Sequence, residues 1–281
     1  MRNKSTELKM SVSSLASFDL VQKVEESLTA GKQTSPLYPI ATLEGVQYEE
    51  ELQDVLHDYL LYGSYHNIIK SSSCAETKEE LIKLSNSYLY QDILGVSDSK
   101  DRGKIKELLI LLAKQLGQEV SLKKLANCMK IHTVTVQRYL NLLEQSFVIF
   151  KLRAFSRNLY QEISKPTKYY FYDVGIRNAI LNNFRPLNLR TDTRILWKNF
   201  LICEKMKQNE YNRKLVNQYF WRTYDYQAID YIEEEDGYLS AYDFKWQATF
   251  TVRKPKLFLN TYDSNFRVIS QKNYLTEFLK I

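Results

Sequence analysis

Apolar residues recur at helical spacing in SFDLVQKVEESL, where Phe18, Leu20, Val21, Val24 and Leu28 mark one helix face. Gly31 and the Pro36 to Pro39 stretch stop that helix. From residue 44 to 94 acidic and apolar positions interleave, as in LQDVLHDYLLYGSY and KEELIKLSNSYLYQDIL. This predicts helices broken around Gly63 and around the serines at 71–73.

Between residues 101 and 155 the pattern becomes three short helices followed by β-prone residues. Lys104 to Leu116 is the first, Ser121 can cap Leu122 to Met129, and Thr133 or Thr135 can cap a third helix that runs through Leu143. FVIFKLRAF follows as a strand, and the order describes a winged helix-turn-helix. In that arrangement the third helix enters the major groove. Thr135, Gln137, Arg138 and Asn141 would then meet base edges or phosphates, flanked by Lys123, Lys124 and Lys130. The same residues also suit the solvated face of a helix packed against protein.

After residue 160, KYYFYDVGIRNAIL reads as a strand entering a helix and TRILWKNFLICEKMKQNE as an amphipathic helix. QYFWRTY, AIDYIEE and YLSAYDFKW read as strands, and FRVISQ with NYLTEFL as a last strand and closing helix. The whole chain is therefore expected to be α+β, with boundaries at 1–43, 44–100, 101–158 and 159–281.

Within AIDYIEEEDGYLSAYDFKW, Asp236-Gly237 suits a two-residue hairpin turn in which both positions take positive φ. Pairing Glu235 with Tyr238 then sets Asp230 opposite Asp243 and puts Lys245 on their face. Like charges facing each other about 5 Å apart are unfavourable unless a cation lies between them. Mg²⁺ takes oxygen ligands of this kind, and Glu204 on the preceding helix is a candidate third ligand. Asp230, Asp243 and Lys245 are the candidate catalytic residues, with Lys245 holding a water or stabilising charge on phosphorus. The alternative is a hairpin in which Lys245 neutralises one aspartate with neither metal nor chemistry.

The charge of +6, with a pI near 8.9, permits phosphate contact without requiring it. Cys74, Cys128 and Cys203 are three in number and far apart, the pattern of reduced cysteines. No apolar run reaches the roughly 18 residues of a membrane span, so a cytoplasmic location is expected. No two of the eight glycines stand five apart, so the phosphate loop G-x-x-x-x-G-K-[ST] is absent and no ATP site is expected.

The segments SSLASFDLVQKVEESL, LLYGSY, YLYQDIL, LAKQLGQEVSLKKLA, TVQRYLNLLEQSFVIFKL, KYYFYDVGIRNAI, LWKNFLICEK, YQAIDYIEEEDG and YDFKW together resemble, in order, bacterial and archaeal AAA-type ATPases with a C-terminal domain of unknown function. The resemblance implies an AAA core, a helical linker, a winged helix and a C-terminal restriction-endonuclease-like domain of the PD-(D/E)XK kind. Residues 1–43 would be a remnant of the core, and the chain an N-terminally truncated member. Glu204, Asp230, Asp243 and Lys245 match the acidic and lysine positions of that nuclease motif; Ala228 and Asp243 depart from it, standing where an acidic residue and a glutamate are usual. Asp173, in FYDVGIRNA, is expected to order the turn before its helix. The expected function is DNA binding through the winged helix. Its alternatives are an active Mg²⁺-dependent DNA endonuclease, or a non-catalytic regulatory remnant that pairs with an intact ATPase relative through its tyrosines.

Overall fold

The computed structural model describes residues 45–64, 74–88, 99–157, 167–223, 227–247 and 254–279. The helix expected within residues 11–40, and the remnant at 1–43, lie outside the described residues.

Helix α1 (Gly45–Tyr62) buries Leu56, Tyr59 and Leu60 on one face. It ends at the expected break, where Gly63 takes φ +80° and its N–H donates to Tyr59 O at 2.9 Å. Helix α2 (Cys74–Tyr88) turns Thr77, Leu81 and Ser85 inward at four-residue intervals.

Helix α3 (Ser99–Lys114) starts five residues before the expected Lys104 and buries Ile105, Leu108, Leu109, Leu112 and Ala113. A two-residue strand β1 (Glu119–Val120) follows. Ser121 caps α4 (Leu122–Met129) as expected, its side chain accepting from Lys124 N at 3.4 Å. Lys130 takes the left-handed conformation, φ 54°, and turns the chain into α5 (Thr133–Gln145). The expected threonine cap of this helix is not formed. His132 occupies the cap position without a side-chain hydrogen bond, and both threonines lie inside the helix.

Strand β2 (Ile149–Ala154) pairs antiparallel with β3 (Thr167–Phe171) and, along its last residues, parallel with β4 (Asn217–Arg222). One sheet therefore takes strands from both sides of the boundary expected at residue 158. With β5 (Ala228–Glu235), β6 (Tyr238–Phe244) and β7 (Ser264–Ile269) it has, among the described residues, seven strands in the order β1-β3-β2-β4-β5-β6-β7. The fold is α+β, with a mixed sheet.

Helix α6 (Val174–Ile180) leaves the end of β3, and α7 (Thr193–Tyr211) packs its Leu196, Trp197, Phe200 and Leu201 into the main core. That core takes in residues of α1, α3, α4, α5 and α7, of strands from β1 to β7, and of the closing π-helical turn at Tyr274–Leu279. A second cluster, Phe155, Trp221, Ile229, Ile232, Leu239 and Ala241, is closed by Phe258 of α8 (Lys256–Thr261). Asn199 joins α7 to β3 by accepting from Phe171 N at 2.9 Å and donating to Phe171 O at 2.6 Å. Among the described residues no helix is long and apolar enough to cross a membrane.

Candidate functional site

Two surfaces carry the residues singled out from the sequence. The first is built by α4 and α5. Val136, Tyr139, Leu140 and Leu143 anchor α5 in the core, so the opposite side of the helix faces outward. On that side Arg138 and Asn141 are exposed and Gln137 is half-buried, its Nε2 donating to Asn141 Oδ1 at 2.8 Å. Thr135 is half-buried next to them. Arg138 bonds Asp101 of α3 at 2.8 Å, while Tyr139 Oη donates to the other oxygen of the same carboxylate at 2.7 Å. Lys123, Lys124 and Lys130 are exposed at α4 and its C-terminus. The four residues expected to meet base edges or phosphates thus share one helix, and Lys123 and Lys124 sit on the helix before it.

The second surface is the hairpin. Asp236 has φ 51° and Gly237 φ 85°, and the β5–β6 register runs from Glu235↔Tyr238 to Tyr231↔Tyr242. Continued by one residue it sets Asp230 against Asp243, the pairing expected from the turn. On the other side of β5 the register slips between Tyr219↔Ile232 and Trp221↔Ile229. Asp230 and Tyr231 consequently stand together opposite Phe220, a bulge of the kind that re-aims side chains.

Asp230 is buried and its carboxylate is fully engaged: Oδ1 accepts from Lys198 Nζ at 2.5 Å and Oδ2 from Phe244 N at 2.9 Å. Asp243 Oδ2 is 2.8 Å from Lys245 Nζ. Burial pushes the Asp243 carboxyl up to about 6, assisted by the hydrogen bond and the charge of Asp230, with Lys245 pulling the other way. Burial acts in the same upward direction on Asp230, but the Lys198 ammonium, the hydrogen bond from Asp243 and the Phe244 N–H together outweigh it, and its pKa is lowered. Lys168 of β3 stands by: burial lowers its pKa, the Asp230 charge partly restores it, and its ammonium lies 4.3 Å from the Phe220 ring centre.

Glu204 does not join this pair, contrary to the expectation of a three-carboxylate set. It follows Lys198 by six residues, about 600° of helical rotation, and so leaves the α7 face that meets Asp230. Its carboxylate accepts from Lys207 at 2.8 Å. Among the described residues no group of three His, Cys, Asp or Glu side chains converges to hold a metal. The residues therefore do not fit Mg²⁺ as they stand: it needs several oxygen ligands, and here an ammonium already takes one oxygen of Asp230.

Glu204 belongs instead to a buried polar cluster at the meeting of α1, α6 and α7. Asp173 caps α6 by accepting from Ile176 N at 3.0 Å, as expected, and also accepts from Ser64 N at 2.6 Å and Ser64 Oγ at 3.2 Å. Lys207 Nζ donates to Ser64 Oγ at 3.2 Å and to Glu204. A cavity of about 10 Å³, near the space of one water, lies between Gly63, Asp173, Cys203 and Lys207. Burial pushes the Cys203 thiol up to about 12, which makes it an inert packing group. Lys198, Lys168, Ser64 and Lys207 were not singled out from the sequence. All four lie in segments that had drawn notice, Ser64 in LLYGSY, Lys168 in KYYFYDVGIRNAIL, and Lys198 and Lys207 in TRILWKNFLICEKMKQNE.

Residues 53–187 match a family described as a domain of unknown function (DUF8612). The match runs from within α1 to beyond α6, includes the α4–α5 pair, and stops before Lys198, Asp230 and Asp243. An uncharacterized protein of Haemophilus influenzae (strain ATCC 51907 / DSM 11121 / KW20 / Rd) is 26% identical over 153 residues. That similarity takes in 50% of this chain and 38% of the relative, so the chain spans well under half of that protein's length. No solved structure matches the chain.

Proposed function

We propose that this chain is a DNA-binding protein that docks α5 in the major groove as the recognition helix of a winged helix-turn-helix. The observation that carries the reading is the α3-α4-α5 order followed by β2 and β3, with the polar side of α5 outward and exposed lysines on α4. Kinship with the AAA-type ATPases belongs to the same proposal, with this chain acting beside an ATPase relative. A labelled 20-base-pair duplex of mixed sequence tests it by fluorescence anisotropy across a salt series. Binding should weaken steeply with salt, and Lys123→Ala with Lys124→Ala should reduce the log–log slope by roughly one per lysine removed. No binding at about 50 mM salt, or a slope indifferent to both lysines, refutes the reading.

A nuclease-like role for the C-terminal half is the second reading, favoured by the convergence of Asp230, Asp243 and Lys245. It requires Lys198 to release Asp230, and so it ranks below DNA binding. Plasmid cleavage that Asp243→Ala abolishes would raise it; no cleavage by the wild-type chain with Mg²⁺ or Mn²⁺ would remove it.

A further inference from the structure

Val134 is 78% exposed, an aliphatic side chain held out from the second residue of α5. Gln137, Arg138 and Asn141 follow it at three, four and seven residues, so the four form one stripe along the helix, away from the buried Val136, Leu140 and Leu143. The stripe holds a single charge. Arg138 is tied to Asp101, and the lysines free to meet phosphates lie on and just after α4. Beside that guanidinium, α5 offers a partner one apolar surface and two carboxamides.

The carboxamides are already ordered. Gln137 Nε2 donates to Asn141 Oδ1 at 2.8 Å, which leaves Gln137 Oε1 as an unused carboxamide acceptor, with Asn141 Nδ2 and the second Nε2 hydrogen as donors. Turning both amides over exchanges the two roles and still leaves an acceptor oxygen beside donors. One acceptor beside one donor is the complement of the adenine edge in the major groove, where N6–H donates and N7 accepts. The one apolar feature on base edges in that groove is the thymine 5-methyl group, which belongs to the same base pair.

Resting on the DNA-binding reading above, we infer that α5 reads A·T base pairs in duplex DNA: Val134 packs on a thymine methyl, and the Gln137–Asn141 pair bonds the adenine edge. Guanine, with two acceptors and no donor on this edge, leaves the carboxamide oxygen without a partner. An RNA duplex cannot present the pattern, because its major groove is too narrow for side chains to read.

Selection from a duplex pool with a randomised 16-base-pair core, followed by anisotropy on the enriched duplex, tests the inference. Enrichment of A·T at two or more core positions is expected. Uracil for thymine at one of those positions should weaken wild-type binding roughly four-fold, the worth of one buried methyl group. In Val134→Ala, which changes an exposed side chain and should fold, thymine and uracil duplexes should bind equally. 7-Deazaadenine should weaken the wild type about ten-fold and leave Gln137→Ala with Asn141→Ala unaffected. A pool enriched in G·C, or not enriched at all while salt-dependent binding persists, overturns this inference and leaves the DNA-binding reading standing. So does an RNA duplex competing as well as DNA, or a uracil effect that survives Val134→Ala. No binding to any duplex overturns both.

Discussion

Lys198 Nζ and Asp230 Oδ1 meet at 2.5 Å, so the cation that the facing carboxylates of Asp230 and Asp243 require is supplied by the chain's own helix. Removing it leaves two carboxyl groups, one of them buried, with Lys245 alone to balance them. Lys198→Met is expected to cost about 2–4 kcal/mol in urea unfolding, given that the ion pair is mostly but not fully buried. Millimolar Mn²⁺ should raise the melting temperature of the variant more than that of the wild type, because the position on Asp230 is then open. Equal shifts in the two proteins would show that Lys198 does not stand in for a metal.

The Asp243 carboxyl, raised from 3.8 to about 6, gives a pH dependence with a definite sign. Between those values the folded chain binds more protons than the unfolded one, so the stability contributed is complete below about pH 3.8 and lost as pH climbs through 6. The amplitude is about 3 kcal/mol. Asp230, with its lowered pKa, acts oppositely, and its contribution is lost in more acid solution. Unfolding free energies at pH 4, 5, 6 and 7 should therefore fall for the wild type relative to Asp243→Asn. A constant difference between the two would place the proton elsewhere.

Asp192 is held well below the usual carboxylate range; burial opposes this, but Arg190 and Arg177 prevail, the latter at 2.5 Å. The two guanidinium side chains are 0% and 4% exposed. Asp192→Asn should cost about 3–5 kcal/mol, since it strands both cations in the core. Its effect should shrink as pH falls below about 3.8, where the unfolded chain takes up a proton that the folded carboxylate still resists. An effect under about 1 kcal/mol at neutral pH would mean that the carbonyls of Ala113 and Asn183 and the side-chain oxygen of Asn178, which also accept from these arginines, suffice.

Two glycines should respond to alanine for different reasons. At Gly175 a Cβ would meet Tyr62 O at 2.1 Å, so Gly175→Ala must push α1 from α6, at about 2–3 kcal/mol or more. At Gly237 nothing lies within 4 Å, and the cost is only that of holding φ +85°, about 1 kcal/mol. A urea series on both variants should give that ranking; the reverse order would contradict the close approach of the two helices.

The local chemistry was legible where a few adjacent residues decide it. Asp236-Gly237 set the β5–β6 register, Ser121 marked the start of α4, and Asp173 ordered the entry to α6, all as their side chains and backbone preferences imply. The Lys198–Asp230 contact was not legible, because it depends on how α7 is rotated against the sheet, which packing across 32 residues decides. The same rotation carries Glu204 away to Lys207. Nor was the β2–β4 pairing legible: it joins Arg153 to Tyr219, and no turn between them fixes the register.

That pairing has a mechanical consequence. Strand β2 emerges directly from the turn after α5, and its far end is hydrogen-bonded to the sheet that carries Asp230. A duplex gripped by α5 would hang from a bracket, with no slack tether between the grip and the carboxylates. Only those stretches of nucleic acid that pass at a fixed offset from the grip would come near the acidic pair, however long the duplex is.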